Sequence, residues 1–201
     1  MPASSASFGV WTAGLTVLIA AGCATAPAQL ELAYTPPAGV ARKAAPPETA
    51  GERVCFLPVA EGRGNGDEAG EIGGRTITIP HALVWCQSAL HTLDTPAVRS
   101  VPKAGIPEGS EILAAPHLRK LHLESVLASK SATIVLEVEY RLSGQRSLRR
   151  VYRGREVAIN WSSSAGEAES AFNVAMDHCL ALIRDDLAHG LSVIASQSNG
   201  G

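Results

Sequence analysis

The sequence has almost no net charge, since 17 lysines and arginines stand against 19 aspartates and glutamates in 201 residues. A nucleic-acid-binding domain usually carries a clear excess of basic residues, and long-range steering of a charged ligand needs a strong field of one sign. Neither function is predicted here. Hydrophobic residues make up 46% of the chain, which is enough apolar material for one globular domain of moderate size.

The motifs of cofactor and metal sites are also missing. Six glycines between residues 62 and 74 fit neither G-x-x-x-x-G-K-S/T nor a dinucleotide fingerprint that opens into a helix, and this segment is typical of a long mobile loop. None of the six histidines has the spacing of a metal ligand. Asp177, His178 and Cys179 are adjacent, but consecutive helical residues point about 100° apart. We therefore predict a non-enzymatic protein with no metal and no cofactor.

The N-terminal region has no charge from Phe8 to Gly22. This run is shorter than the roughly 20 residues of a spanning helix, and alanine and proline follow it instead of a basic flank, so it predicts a signal peptide over residues 1–22. The sequence I-A-A-G-C ending at Cys23 resembles the lipobox of bacterial lipoproteins, which implies that Cys23 carries diacylglycerol and palmitate and anchors the protein to a membrane. The alternative is that Cys23 is a small apolar residue after an ordinary signal peptide.

The remaining chain divides by composition into three parts. Residues 23–50 are rich in alanine and proline and predict a tether, although the alternation of Leu30, Leu32 and Tyr34 leaves a short early strand open. Residues 51–191 predict a single α+β periplasmic domain. Residues 192–201 are rich in serine, asparagine and glycine and predict a disordered tail.

Two helices are predicted from apolar residues at three-and-four spacing. The first follows Pro80 and ends at Asp94. The second begins at Ser164, which with Glu167 has the spacing of a capping box, and ends at Gly190.

The clearest strand runs from Ala132 to Leu142, where apolar and charged residues alternate. A two-residue turn after it would place Glu139 opposite Arg150 and Arg141 opposite Leu148. These elements predict an α+β fold with a twisted, mainly antiparallel sheet and two helices packed on one face.

In the returning strand the apolar residues change parity. Leu148 and Tyr152 share one face, whereas Val157 and Ile159 share the other. This change predicts a bulge or bend at Gly154.

Besides Cys23 the chain has three cysteines, at positions 55, 86 and 179. Cys86 and Cys179 lie on the apolar faces of the two predicted helices, so they are the pair we expect to form a disulfide in an oxidising compartment, with Cys55 left in the sheet. All three could equally be reduced core residues.

Arginines are concentrated around the predicted hairpin. The candidates for contact with an anion or a partner are Arg146, Arg149, Arg150 and Arg153. Guanidinium groups suit phosphate and carboxylate recognition, so a phospholipid, a glycolipid or an envelope protein complex could bind here. The alternative is a solvated strand face whose arginines pair with Glu137, Glu139 and Glu156.

The sequence P-V-A-E-G-R at 58–63, followed by Ile72-Gly73, resembles the strand and loop "P-V-x-D-x-R … I-G" of small proteobacterial lipoproteins of the YajG-like and ABC-transport-auxiliary kind. The resemblance covers residues 54–187 and places Glu61, Arg63 and Gly73 in the family's loop. It implies a periplasmic α/β domain anchored in the outer membrane, whose auxiliary relatives work beside transporters that move lipids or other amphiphiles.

Two functions follow as expectations. The first is a non-catalytic accessory subunit of an envelope transport or assembly complex, lipid-anchored at the periplasmic face of the outer membrane, since Ala24 is the kind of residue that permits outer-membrane export in enterobacterial lipoproteins. The alternative is a module that holds an amphiphile between sheet and helices, in an apolar cavity lined from Leu121 to Val138.

Overall fold

The computed structural model describes residues 26–37, 51–101, 112–126, 129–142, 147–159, 164–191 and 193. Within them the strands are β1 Ala28–Gln29, β2 Val54–Phe56, β3 Ala60–Glu61, β4 Glu68–Ile72, β5 Arg75–Thr78, β6 Val98–Ser100, β7 Ile112–Val126, β8 Ser129–Arg141 and β9 Ser147–Ile159. The helices are α1 Ala82–Leu90, extended by a 3-10 turn His91–Leu93, and α2 Ala165–His189. Cys23 and Arg146 lie outside the described residues, so the roles predicted for them stay predictions.

The 15-residue strand β7 has paired strands along both of its edges. On one side it pairs antiparallel with β8, which pairs antiparallel with β9. On the other side β2, β3 and β4 lie one after another along it, all parallel to it. The α+β class is confirmed, but the prediction of a mainly antiparallel sheet is wrong, because the sheet is mixed and curled. Alternation within a short strand does not reveal the direction of its partner, and these strands are too short to show much alternation.

The glycine-rich segment predicted as a mobile loop contains the antiparallel hairpin of β4 and β5. Gly73 and Gly74 form its two-residue turn, with φ of 56° and 74°, in the left-handed region that favours glycine. Gly70 has a φ of 101° and pairs with Leu123 of β7, whose carbonyl oxygen would lie 2.0 Å from a Cβ atom at position 70. The glycines therefore serve a tight turn and a close strand contact.

The two predicted helices are present. Ser164 caps α2 through the predicted capping box: its Oγ accepts the backbone N–H of Glu167 at 3.3 Å, and the Glu167 carboxylate accepts the N–H of Ser164. Helix α1 contacts α2 where Trp85 meets Phe172 edge-to-face and the Trp85 indole N–H donates to Asn173 Oδ1 at 3.0 Å. That both helices cover one face of the sheet stays a prediction.

Strand β9 runs alongside β8 without a register shift. The prediction of a bulge at Gly154 is therefore wrong, whereas a bend there stays a prediction. The predicted register is also wrong, because Glu139 pairs with Arg149 and Arg141 with Ser147. Directly paired residues share a face of the sheet. The observed register keeps the paired Tyr140 and Leu148 together in the core.

Part of the segment predicted as a tether lies against the domain. Strand β1 pairs with β5, and Leu30 is buried. The backbone of Ala33 is held from α2: its N–H donates to Glu169 Oε1, and its carbonyl accepts from Asn173 Nδ2, both at 3.1 Å. The early strand lies before the segment Leu30 to Tyr34 where it was left open, because β1 ends at Gln29. The other predicted boundaries stay predictions.

Helix α2 approaches β9 most closely at Gly154, where an added Cβ atom would lie 1.7 Å from the carbonyl oxygen of Ala175. We expect Gly154→Ala to lower the free energy of unfolding by about 2 kcal/mol or more, because the helix must move away from the sheet. Gly166→Ala, in the first turn of α2 with open space around it, is the matched control and leaves the urea midpoint unchanged or raised. Equal midpoints for the two variants would contradict this packing.

Candidate functional site

The loop after β3 is closed by an internal ion pair. Arg63 Nε donates to Glu61 Oε1 at 2.9 Å and Nη2 donates to Oε2 at 2.6 Å. The backbone N–H groups of Gly62 and Arg63 also donate to Glu61 Oε1, and Asp67 adds a second carboxylate 3.6 Å from Nη2. Only 1% of the Arg63 side chain is exposed. The arginine therefore shapes the loop from within and does not present its charge to solvent.

Of the three predicted loop residues, the structure brings Glu61 and Arg63 together and leaves Gly73 at the separate β4–β5 turn. The hydrogen bonds from Arg63 hold the pKa of Glu61 at about 2, against burial, which acts to raise it. Two-point contact between a guanidinium and a carboxylate is among the stronger polar interactions in proteins. Within the described segments, this pair gives the signature P-V-A-E-G-R a structural explanation.

The pKa of Glu61 predicts a dependence of stability on pH. A carboxyl group whose pKa falls from 4.5 in the unfolded chain to about 2 in the folded chain stabilises the protein above pH 4.5, and the effect is lost as the pH falls towards 2. We expect Glu61→Gln to lower the free energy of unfolding strongly at pH 7, because it leaves buried Arg63 without its main partner. The deficit should shrink in urea unfolding between pH 4.5 and pH 2.

The control for this series is Glu71→Gln, on the exposed side of β4. It should leave the urea midpoint close to that of the wild type at every pH. A deficit of Glu61→Gln that stays constant down to pH 2 would contradict the assignment.

The predicted contact residue Arg150 is bound to α2. Its Nε and Nη2 donate to the two carboxylate oxygens of Asp186 at 2.9 and 3.0 Å, and Tyr152 Oη donates to the same carboxylate at 2.8 Å. Tyr152 Oη lies 2.8 Å from Tyr140 Oη inside the core. Burial acts to raise the pKa of Asp186, but the hydrogen bonds from Arg150 and Tyr152 outweigh it and lower that pKa. Arg150 therefore joins β9 to α2.

Arg149 and Arg153 point the other way, to the exposed side of β9 opposite α2. Arg149 Nε lies 3.6 Å from Glu137 Oε1, which also accepts from Arg119 Nη2 at 2.8 Å. Arg153 has no hydrogen bond or ion pair with another described side chain. The alternative of cross-strand pairing therefore holds for Glu137, which contacts arginines on β7 and β9. Glu139 Oε1 lies 3.5 Å from Nε of Arg141 on its own strand, and Glu156 lies on β9 itself.

The same exposed side carries large apolar side chains. Val151 is 60% exposed, Val157 48% and Ile159 72%. Together with Arg149, Arg153 and Arg155 they form a surface that we call the outer face of β9. The sequence did carry its signal, the change of apolar parity after Tyr152. Because β9 has no bulge, the change of parity means that Val157 and Ile159 point away from the core.

The cysteines at 55, 86 and 179 are buried, and the predicted bridge between Cys86 and Cys179 is not formed in this structure. Burial raises the pKa of the Cys86 thiol, and it raises the pKa of the Cys179 thiol to about 12. Cys179 Sγ lies 3.6 Å from the carbonyl oxygen of Tyr152. A thiol with a raised pKa and no solvent access reacts slowly.

We expect iodoacetamide to modify none of these three cysteines in the native protein and all three after unfolding in urea without reductant. Intact-mass spectrometry after each treatment measures the number of adducts. One adduct in place of three after unfolding would show that a disulfide forms.

The adjacent residues Asp177, His178 and Cys179 do not converge. His178 Nδ1 lies 2.9 Å from the carbonyl oxygen of Arg155, Asp177 Oδ1 lies 3.8 Å from Arg184 Nη1, and Cys179 is buried. Across the described ranges, no group of three histidine, cysteine or acidic side chains is arranged to hold a metal ion. In those same ranges, neither helix has the length and apolar character needed to cross a membrane.

No family model and no curated protein matches the chain. Among solved structures, a Xanthomonas campestris protein of family DUF330 is 16% identical, with 87% of this chain and 98% of that chain covered and a TM-score of 0.49. PelC from Paraburkholderia phytofirmans, a dodecamer, is 12% identical, covering 68% and 94%, with a TM-score of 0.37. A lipoprotein from Neisseria meningitidis is 10% identical, covering 69% and 99%, with a TM-score of 0.37. Membership in the YajG-like or ABC-transport-auxiliary lipoproteins stays a prediction.

Proposed function

We propose that this protein is a non-catalytic lipoprotein, anchored through Cys23 at the periplasmic face of the outer membrane, that acts as an accessory subunit of an envelope transport or assembly complex. The observation that carries the proposal is the outer face of β9. Valine, isoleucine and arginine side chains are exposed there side by side on one strand.

This combination suits a protein interface. Exposed apolar side chains gain free energy when a partner removes them from water, and arginine is enriched in interfaces because its guanidinium makes several directed hydrogen bonds. Val151 lies between Arg149 and Arg153 along the strand, so a single partner surface can cover all three. The rigid attachment of β9 to α2 through Gly154 and Arg150 favours a surface that is formed before binding.

The anchor supports the same function. Several acyl chains on Cys23 would hold the protein at the membrane far more firmly than one myristoyl chain does, without a spanning helix. Because β1 begins at Ala28 and pairs with β5, the lipid on Cys23 would hold the domain close to the membrane surface, where a membrane-bound complex can contact it.

The alternative, an amphiphile held between sheet and helices, has less support. Leu121, Ile134 and Val138, which would line such a cavity, belong to the continuous core, with at most 1% of each exposed. An amphiphile would have to displace side chains that pack against α2 and one another.

The test is a crosslinking pull-down of the lipidated protein from its own envelope, with recovered proteins identified by mass spectrometry. We expect wild type to recover subunits of a transport or assembly complex and Arg149→Glu/Arg153→Glu to recover at least tenfold less of them, because acidic side chains repel a surface that accommodates arginine.

The matched control is Arg53→Glu/Arg99→Glu, which reverses two exposed arginines outside the outer face of β9 and should recover the wild-type set. Equal urea midpoints for the two double variants exclude unfolding as the cause. Recovery of lipid alone, or of the same proteins by both double variants, would contradict the proposal.

A further inference from the structure

We propose that β9 binds its partner by strand addition: a segment that presents both acidic and apolar side chains on one face pairs with the open edge of β9 and extends the sheet. This inference rests on the proposed function, and it specifies how the accessory subunit would hold its partner.

The free side of β9 is an exposed strand edge. This 13-residue strand pairs with β8 along its whole length, and no strand pairs with its other side in the described part of the chain. An open edge presents a row of backbone N–H and C=O groups that another strand can bind. Natural proteins block such edges with proline, a bulge, a short strand, charged side chains or a covering helix. β9 is long and has no proline or bulge, its charged side chains are arginines, and α2 bonds to it at the carbonyl of Arg155, so a partner would need to be acidic and to pair with the edge before Arg155.

A contact from α2 shows which residues of β9 direct their backbone towards that edge. The carbonyl oxygen of Arg155 accepts a hydrogen bond from His178 Nδ1 at 2.9 Å, so it points away from β8. Along a strand, the backbone N–H and C=O groups of successive residues point alternately to one edge and to the other. Their side chains point alternately to one face of the sheet and to the other, with the same period of two residues. The residues whose side chains form the outer face of β9 are therefore those whose backbone groups lie at the open edge.

Because the same residues form the outer face and the open edge, they determine the chemistry of the partner. An added strand would bring its own side chains directly beside Arg149 and Arg153 and beside Val151. The acidic neighbour on β8, Glu137, is already bound by Arg119 and lies near Arg149. Cross-strand pairs favour opposite charges and apolar contacts, so the complementary strand carries carboxylates opposite the arginines and an apolar residue opposite Val151.

A second copy of this chain is a poorer partner. When two β9 strands pair antiparallel over most of their length, at least one of Arg149, Arg153 and Arg155 lies opposite an arginine of the same set on the other copy. Like charges directly opposite each other destabilise a strand pair. The charge pattern therefore favours a different, acidic protein segment.

The test uses two capped peptides of about ten residues and the mature lipidated protein in detergent. Every second residue of each peptide is threonine, and the residues between them alternate glutamate with valine in one peptide and lysine with valine in the other, so that both kinds lie on one face of the added strand. Fluorescence anisotropy measures binding. We expect the glutamate peptide to bind and the lysine peptide to bind at least tenfold more weakly. Arg149→Glu/Arg153→Glu should reverse this preference, and unchanged preference would overturn the charge assignment.

The strand-addition step is tested by Val151→Pro, which removes one N–H from the open edge and leaves every arginine in place. Proline is tolerated at edge positions whose N–H faces solvent, so we expect the fold to persist. The matched control Val151→Thr keeps both the β-branched side chain and the N–H. Binding of the glutamate peptide should fall at least tenfold in Val151→Pro and less than threefold in Val151→Thr. Equal loss in the two variants would overturn strand addition.

The same variants in the envelope pull-down separate this inference from the proposed function. Partners lost with Arg149→Glu/Arg153→Glu but retained with Val151→Pro would leave the accessory role standing and overturn strand addition. Partners retained by both variants would overturn both. Vesicles of phosphatidylglycerol that bind the protein while the glutamate peptide does not would show that the arginines recognise a lipid surface and would also overturn the inference.

Discussion

The close approach of α2 to β9 at Gly154 determines which side of the sheet is the core and which is exposed. Because glycine leaves space for the carbonyl of Ala175, a long stretch of the helix can lie flat on the β8–β9 hairpin. Tyr152 and Arg150 reinforce the contact further along α2 through the carboxylate of Asp186. With the helix held on this side, the opposite residues of β9 point outward, and the exposed valines, isoleucine and arginines share one surface.

The arginines of this protein divide into two groups by their neighbours. Arg63 and Arg150 each make two-point contacts with a carboxylate and stabilise the fold, the first within the loop after β3 and the second between sheet and helix. Arg149 and Arg153 have side chains on the exposed side of β9, and of these two only Arg149 lies near a carboxylate. Local sequence does not distinguish the groups, because Arg149 and Arg150 are adjacent and differ only in the face of the strand to which they point.

Elements defined by local interactions could be predicted from the sequence. The capping box at Ser164 and the apolar stripe that follows it involve residues close together in the chain, and the alternation in β8 reports burial directly. The parallel strands along β7 and the register of β9 depend on residues far apart in sequence, so they could not be derived from local patterns. A contact role for the arginines stays a prediction: Arg149 and Arg153 lie on the same exposed side of β9, whereas the exposed valines and isoleucine were missed because their parity was attributed to a bulge or bend at Gly154.

In the function that we propose, a lipid on Cys23 holds the protein at the membrane and the outer face of β9 engages a partner through one strand. The most direct test of this account is a photo-crosslinking residue placed at Val151 in living cells and compared with the same residue at Val84, an equally exposed valine on α1. The account predicts an adduct with an envelope transport or assembly subunit at Val151 and none at Val84. No adduct at Val151, or the same adduct at both positions, would contradict it.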